Sequence, residues 1–195
     1  MTLPVRAEPD DDRARDADDA ALVARVWEGD ATAFDAIVAR HFPVMVRYAA
    51  ALVGAPDDAE DVAQGVLARV WRYRESWRVT TTVRTYLLSA VRNEAANRRR
   101  TLRADARREA TMLHEAAIGS AVWGGEGADN RVADRAEVAA LLATLAPRRR
   151  EAIVLRYGMG LTYPEIGQVM GLTRKAAEQL VLRALLTLRN RVGGR

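Results

Sequence analysis

The sequence predicts an all-α protein built from two small helical domains joined by a flexible linker. Alanine is abundant, runs of β-branched residues are scarce, and aromatic residues make up only 6% of the chain. Apolar residues recur with the 3.6-residue period of an α-helix in two stretches, which a glycine-rich segment separates. A chain of 195 residues that is 49% apolar is long enough to form one or two packed domains. We expect a disordered acidic tail over 1–17, a helical domain over 18–104, a linker over 105–133 and a second helical domain over 134–192.

The sequence of the first domain predicts four helices. Polar residues 1–17 contain Pro4 and Pro9, which favours disorder, and apolar periodicity starts only at Leu22. Gly29 ends the first helix and Asp30 can cap the second, within which Pro43 predicts a kink or a break. The apolar stripe of the second helix is formed by Phe34, Ile37, Val38, His41, Phe42, Met45, Tyr48, Ala49 and Leu52.

The third and fourth helices follow two further stop and start signals. The segment Gly54–Asp57 ends one helix and begins the next, with acidic residues in the first turn. After a loop over 77–82, Thr81 or Thr82 can cap a fourth helix that runs into Arg98–Arg100. The third helix buries one stripe, formed by Ala59, Val62, Ala63, Val66, Leu67, Val70 and Trp71.

The second domain contains the pattern of a helix-turn-helix. Thr162 and Glu165 have the spacing of a capping box, Gly171 permits the turn, and Thr173 caps the next helix. In such a motif the second helix presents its N-terminal residues to base edges in the major groove. Its expected outer side carries Arg174, Lys175, Glu178, Gln179, Leu182 and Arg183, and its expected inner side carries Ala177, Val181, Leu185 and Leu188. An ordinary helical hairpin with a solvated basic face is the competing interpretation.

The distribution of charge supports DNA binding. The net charge is only +4, but residues 92–108 hold seven basic against two acidic residues, and residues 148–195 hold ten against three. Basic segments of this kind neutralise phosphates. Next to the first segment, we interpret Trp71 as a core residue and Trp77, in the loop, as a platform on which single-stranded bases stack.

Composition also argues against several other classes of protein. The chain has no cysteine and two histidines, so we expect no metal, no cofactor and no thiol nucleophile, and we expect that the protein is not an enzyme. No apolar run reaches the roughly 18–20 residues of a membrane span, and the acidic N-terminus does not resemble a signal peptide. We therefore expect a cytoplasmic protein without membrane insertion.

Two groups of motifs resemble bacterial RNA polymerase sigma factors of the extracytoplasmic-function group of the sigma-70 family. The similarity to region 2 lies in the segments 34–43 and 58–64, in Trp71, and in Tyr86–Leu87 and Ala90–Asn93. The similarity to region 4 lies in the segments 145–147, 161–167 and 170–173, in Arg156, and in Arg183–Leu185. The resemblance covers about residues 20–100 and 135–192, in the order found in the family.

The resemblance implies a role for particular residues. Asp58, Asp61 and Gln64 match the motif that binds the β′ subunit of the polymerase core, although Gly65 stands where the family usually has an acidic residue. Another part of the family's region 2 recognises and melts the −10 element and captures a flipped base. The residues that match this part are Trp77, Arg78, Arg84, Arg92, Asn93, Asn97, Arg98, Arg99 and Arg100. Tyr86 replaces the tryptophan that is more usual at its position.

The second domain would then read the −35 element through Arg174, Lys175, Gln179 and Arg183. Leu180 stands where the family often has arginine or histidine. The resemblance implies the polymerase core (its β′ and β subunits), promoter DNA and an anti-sigma factor as partners. The alternatives are a helix-turn-helix regulator that acts without polymerase core and, less favoured, a helical adaptor of the anti-sigma type.

Overall fold

The computed structural model describes residues 9–106 and 132–192, and these residues form helices and no strand. The N-terminal unit comprises α1 (Pro9–Trp27), α2 (Ala31–Val53), α3 (Pro56–Arg72) and α4 (Val83–Ala106), with a 3-10 turn at Arg74–Ser76. The C-terminal unit comprises α5 (Val132–Ala143), α6 (Pro147–Ile153), a π-helical turn (Val154–Gly158), α7 (Tyr163–Met170) and α8 (Arg174–Val192). The all-α prediction is confirmed, and most of the expected linker lies outside the described residues.

The expected disordered tail is partly wrong, because α1 already begins at Pro9. Proline is favoured in the first turn of a helix, because its fixed φ suits the helix and its missing N–H would have no partner there. An acidic, proline-containing segment therefore suits a helix start as well as a disordered tail. The part of the tail before Pro9 lies outside the described residues.

The predicted boundaries of α2 are confirmed. The Asp30 carboxylate accepts hydrogen bonds from the backbone N–H groups of Thr32 and Ala33, which caps the helix. Gly54 ends it in the left-handed conformation, with φ of 89°. The helix continues through Pro43, so the break that we considered there is absent.

Helix α2 is the centre of the N-terminal unit and packs against α1, α3 and α4. Its buried side includes Ile37, Met45 and Tyr48. Among the described residues, α2 is the one helix whose length and apolar composition would allow it to cross a membrane. These buried contacts account for its apolar composition as a core helix.

The C-terminal unit contains the predicted helix-turn-helix, in which α7 and α8 pack on each other. Gly171 adopts the left-handed conformation at the turn, with φ of 64°. A Cβ atom at Gly167 would lie 2.7 Å from the Leu172 carbonyl oxygen, so α7 and the turn approach closely there. Leu185, which we expected on the inner side of α8, is exposed, because the fully buried residue at this level of the helix is Ala184.

The two units also pack against each other, mainly through α4 and α7. The Glu151 carboxylate of α6 accepts hydrogen bonds from the Tyr48 hydroxyl at 2.8 Å and from Nε of Arg92 at 2.6 Å. Arg84 of α4 donates to the carbonyl oxygen of Met159. Two charged residues of α4 therefore connect the N-terminal unit to the C-terminal unit.

Candidate functional site

An acidic and amide face of α3 is open to solvent. Asp61 and Gln64 are both exposed, and the Asp61 side chain is 67% accessible. Asp58 differs, because its carboxylate accepts a hydrogen bond from Arg98 of α4 at 2.7 Å. A Cβ atom at Gly65 would meet no heavy atom within 4 Å, so space remains beside Gln64. Arg98 also lies 3.8 Å from the Asp61 carboxylate, a longer contact on a side chain that stays largely exposed. Asp61 and Gln64 are therefore the residues most open to a partner, and Asp58 braces α3 against α4.

A pocket of about 340 Å³ lies between the end of α3, the following turn and α4. Its volume is in the range of small-ligand sites, and it combines apolar walls with a few polar groups. Asn93, one of the residues expected at the −10 element, lines this pocket. The other lining residues are Val66, Arg69, Val70, Tyr73, Ser76, Trp77, Tyr86, Ser89 and Ala90.

The interpretation of Trp77 as an exposed stacking platform is wrong. Its side chain is only 3% exposed, and its ring centroid lies 5.8 Å from that of Tyr86. Trp77 therefore forms a wall of the pocket. Its indole N–H is buried and finds no acceptor within the described part of the chain.

The exposed aromatic side chain at this pocket is Tyr73, which belongs to the aromatic residues next to the basic segment but was not among the residues expected at the −10 element. Tyr73 is 58% exposed and caps the end of α3. It lies off the apolar stripe that ends at Trp71, and this position could have marked it as a surface aromatic residue. Trp71 itself is half-buried and packs against Phe34, with 5.1 Å between ring centroids, which supports its interpretation as a core residue.

The basic end of α4 is partly occupied by contacts within the protein. The hydrogen bond to Asp58, together with the charge of that carboxylate, raises the pKa of Arg98. Arg100 donates a hydrogen bond to the side chain of Asn97. Because these side chains are exposed, their contacts can exchange for contacts to phosphate at small cost. Arg99 lies between them and is half-buried.

Arg84 and Arg92 are held by the C-terminal unit rather than presented to solvent. Burial alone would lower the pKa of Arg92, but the hydrogen bond and the charge of Glu151 outweigh this effect and raise it. Burial raises the pKa of the Tyr48 hydroxyl well above its ordinary value, and the neighbouring Glu151 carboxylate raises it further. Both arginines would have to give up these contacts before they could bind DNA.

The second helix of the helix-turn-helix presents a cationic face. Arg174, Lys175, Gln179 and Arg183 are all exposed on α8, and their side chains form no ion pair within the described ranges. Thr173 caps this helix by accepting a hydrogen bond from the N–H of Ala176 at 3.2 Å. Leu180 is half-buried against the core, so it does not belong to the exposed face. At the start of α7, the Thr162 N–H donates to the Glu165 carboxylate at 2.7 Å, as expected of a capping box.

Nothing in the described ranges forms a cluster of three or more potential metal ligands. The buried Asp19 and His41 side chains, 2.7 Å apart, bind each other between α1 and α2. The absence of a metal and of a cofactor stays a prediction.

Comparison with known proteins gives two family matches in sequence order. Residues 37–104 match "Sigma-70 region 2" and residues 135–188 match "Sigma-70, region 4". The RNA polymerase sigma factor CnrH of Cupriavidus metallidurans is 31% identical over 175 residues, which cover 85% of this chain and 90% of CnrH. The ECF RNA polymerase sigma factor ShbA of Streptomyces griseus is 31% identical over 190 residues, covering 87% of this chain and 92% of ShbA.

Solved structures show the same fold. The structure of CnrH in complex with the cytosolic domain of CnrY superposes with a TM-score of 0.67 at 25% identity, covering 91% of this chain and 98% of CnrH. The sigma factor RpoE of Bartonella quintana, solved in complex with the anti-sigma factor NepR, gives a TM-score of 0.66 at 22% identity. That comparison covers 82% of this chain and 96% of RpoE.

Proposed function

The chain belongs to the extracytoplasmic-function group of the sigma-70 family of RNA polymerase sigma factors, and on this premise we propose how its surfaces divide the work of promoter recognition. The observation that carries the proposal is that the chain leaves two opposite kinds of surface open. One is the acidic and amide face of α3, and the other is the cationic face of α8. The first suits a basic protein partner and the second suits DNA.

The α3 face is the proposed docking surface for the polymerase core. Asp61 and Gln64 would receive hydrogen bonds from basic side chains of the β′ subunit, and Asp58 would contribute mainly by fixing α3 through Arg98. Docking on a preformed helix face requires no reorganisation of the N-terminal unit, which favours affinity.

A charge reversal tests this surface. We expect Asp61→Arg to weaken core binding at least a hundredfold in a pull-down or fluorescence titration, because it replaces an attraction by a repulsion. Glu28→Arg is the matched control, since Glu28 is exposed in the same unit directly after α1, away from the α3 face, and the substitution changes the charge by the same amount. Equal loss of affinity in both variants would point to net charge alone, and unchanged affinity in Asp61→Arg would refute the surface.

The pocket between α3 and α4 is the proposed site of one extruded −10 base. Tyr73 offers a ring on which the base can stack, Asn93 can bond to its edge, and Trp77 forms an apolar wall. Extrusion costs a few kcal/mol of stacking, which these contacts and the basic end of α4 would offset. The proposed contacts to the strand backbone are Arg78, Asn97, Arg98, Arg99 and Arg100. Arg84 and Arg92 would join them by giving up their contacts to the C-terminal unit.

The exposed face of α8 is the proposed reader of the −35 element. Arg174, Lys175, Gln179 and Arg183 lie on the N-terminal half of the recognition helix, from which major-groove contacts are made. The burial of Leu180 leaves the reading to these four residues.

The proposed partners follow from the family and the neighbours. The polymerase core and promoter DNA are required for initiation, and an anti-sigma factor is a further proposed partner because the neighbours include sigma factors solved in such complexes. We further propose that the protein acts in the cytoplasm and has no catalytic activity of its own, RNA synthesis being the work of the polymerase.

A further inference from the structure

Helix α1 lies outside the segments that match the family, since the first match begins at residue 37. The helix is nevertheless firmly attached to the N-terminal unit. The buried Asp19 carboxylate accepts a hydrogen bond from Arg40 at 2.5 Å and lies 2.7 Å from Nε2 of His41. Val23 and Val26 on the same side of α1 are buried in the core. Its C-terminal end is therefore held in a fixed position.

That end contacts the loop beside the pocket. Nε1 of Trp27 donates a hydrogen bond to the carbonyl oxygen of Trp77 at 2.8 Å, across a sequence separation of 50 residues. The guanidinium group of Arg78 lies 5.0 Å from the centroid of the Trp27 ring. Trp27 thus contacts the backbone of the residue that forms the pocket wall and the side chain of the residue that follows it.

These contacts are not explained by core packing alone. The Trp27 side chain is 41% exposed, so the ring does not fill the interior, whereas its N–H group and one face are used on the loop. Loops position side chains less sharply than helices do, and a site on a loop depends on supporting contacts that hold it within about 0.5 Å. The loop over 77–82 contains no helix of its own, and Trp27 supplies such a contact at its first residue.

We propose that Trp27 is a positioning residue for base capture, and that α1 is a strut that fixes the Trp77 wall of the pocket. This inference rests on the proposed capture of an extruded base. The strut acts through the carbonyl of Trp77 and the stacked Arg78, and it makes no contact with DNA itself. Loosening it should impair the pocket and leave core binding and −35 binding unchanged.

The test uses the reconstituted holoenzyme on a pre-opened promoter, with each base of the exposed −10 strand removed in turn to leave an abasic site. For the wild type, loss of the captured base should shorten the lifetime of the complex about tenfold. For Trp27→Leu, the lifetime on intact DNA should already be short, and removal of that base should change it less than twofold. Trp27→Phe, which keeps a ring under Arg78 and loses the N–H donor, should retain an intermediate dependence.

The neighbouring exposed residue gives the matched control, Glu28→Gln, which should behave as the wild type. Thermal unfolding and affinity for duplex −35 DNA are measured for each variant, because a merely structural role would change those quantities instead. Retention of the full base dependence by Trp27→Leu and Trp27→Phe would overturn the strut while leaving the pocket in place. A wild type that is indifferent to every abasic site would overturn the pocket and the strut together.

Discussion

Replacing Glu151 should weaken the packing of the two units by an amount that the geometry allows us to estimate. One carboxylate oxygen accepts both the Tyr48 hydroxyl and Nε of Arg92, and the side chain is only 10% exposed. In Glu151→Ala the fully buried Tyr48 hydroxyl loses its acceptor, which costs about 1–3 kcal/mol. The partly exposed Arg92 can turn to solvent, so the loss of its hydrogen bond to Glu151 adds at most about 1 kcal/mol. We expect a total of about 1–4 kcal/mol.

Urea unfolding of the full chain measures this free energy, and a double-mutant cycle isolates the contact. Tyr48→Phe removes the hydroxyl alone, and in the Glu151→Ala background this second change should be nearly neutral because the hydroxyl no longer has a partner. The coupling energy should therefore be about 1–2 kcal/mol. Additivity of the two single variants within about 0.3 kcal/mol would show that the Tyr48–Glu151 hydrogen bond does not join the units in solution.

Two further predictions concern glycines and a buried carboxylate. Gly65→Ala should stabilise the protein by about 0.5–1 kcal/mol, because the site is open and lies within α3. Gly167→Ala should destabilise the protein, because the new Cβ meets the backbone of the turn. Urea unfolding measures both changes, and equal shifts in the free energy of unfolding would contradict the geometry. Burial alone would raise the pKa of Asp19, but the interactions with His41 and Arg40 outweigh it and lower that pKa. A lowered carboxyl pKa stabilises the fold above the ordinary value of 3.8 and loses this contribution as the pH falls through the folded-state pKa. The destabilisation caused by Asp19→Asn should therefore be larger at pH 7 than at pH 3, and a constant difference would speak against the ion pair.

The local signals in the sequence predicted most of the helices correctly. Helix ends depend on contacts within a few residues. As expected, Asp30 and Thr173 cap the N-termini of their helices, and Gly171 ends α7 in the left-handed conformation. Thr82 does the same for α4, since its hydroxyl accepts the N–H of Thr85 at 3.1 Å. The start of α1 was missed because acidic residues after a proline suit both a disordered tail and a helix N-terminus.

Features that depend on tertiary contacts were not predictable in the same way. Trp77 lies in a loop without periodicity, and its burial depends on tertiary contacts such as the one with the Tyr86 ring. The Tyr48–Glu151 hydrogen bond joins residues 103 positions apart, and no local pattern marks such a pair. Asn93, expected at the −10 element from the sequence, lines the pocket, whereas the exposure of Tyr73 and the burial of Trp77 were visible only in the structure.

The most direct test of the account is transcription in vitro with sigma-free polymerase core, the purified full chain and a library of genomic promoter fragments. We expect a stable complex with core and specific transcripts from a small set of fragments, with both lost in Asp61→Arg and retained in Glu28→Arg. A chain that binds those fragments alone, forms no complex with core and yields no specific transcript would contradict it.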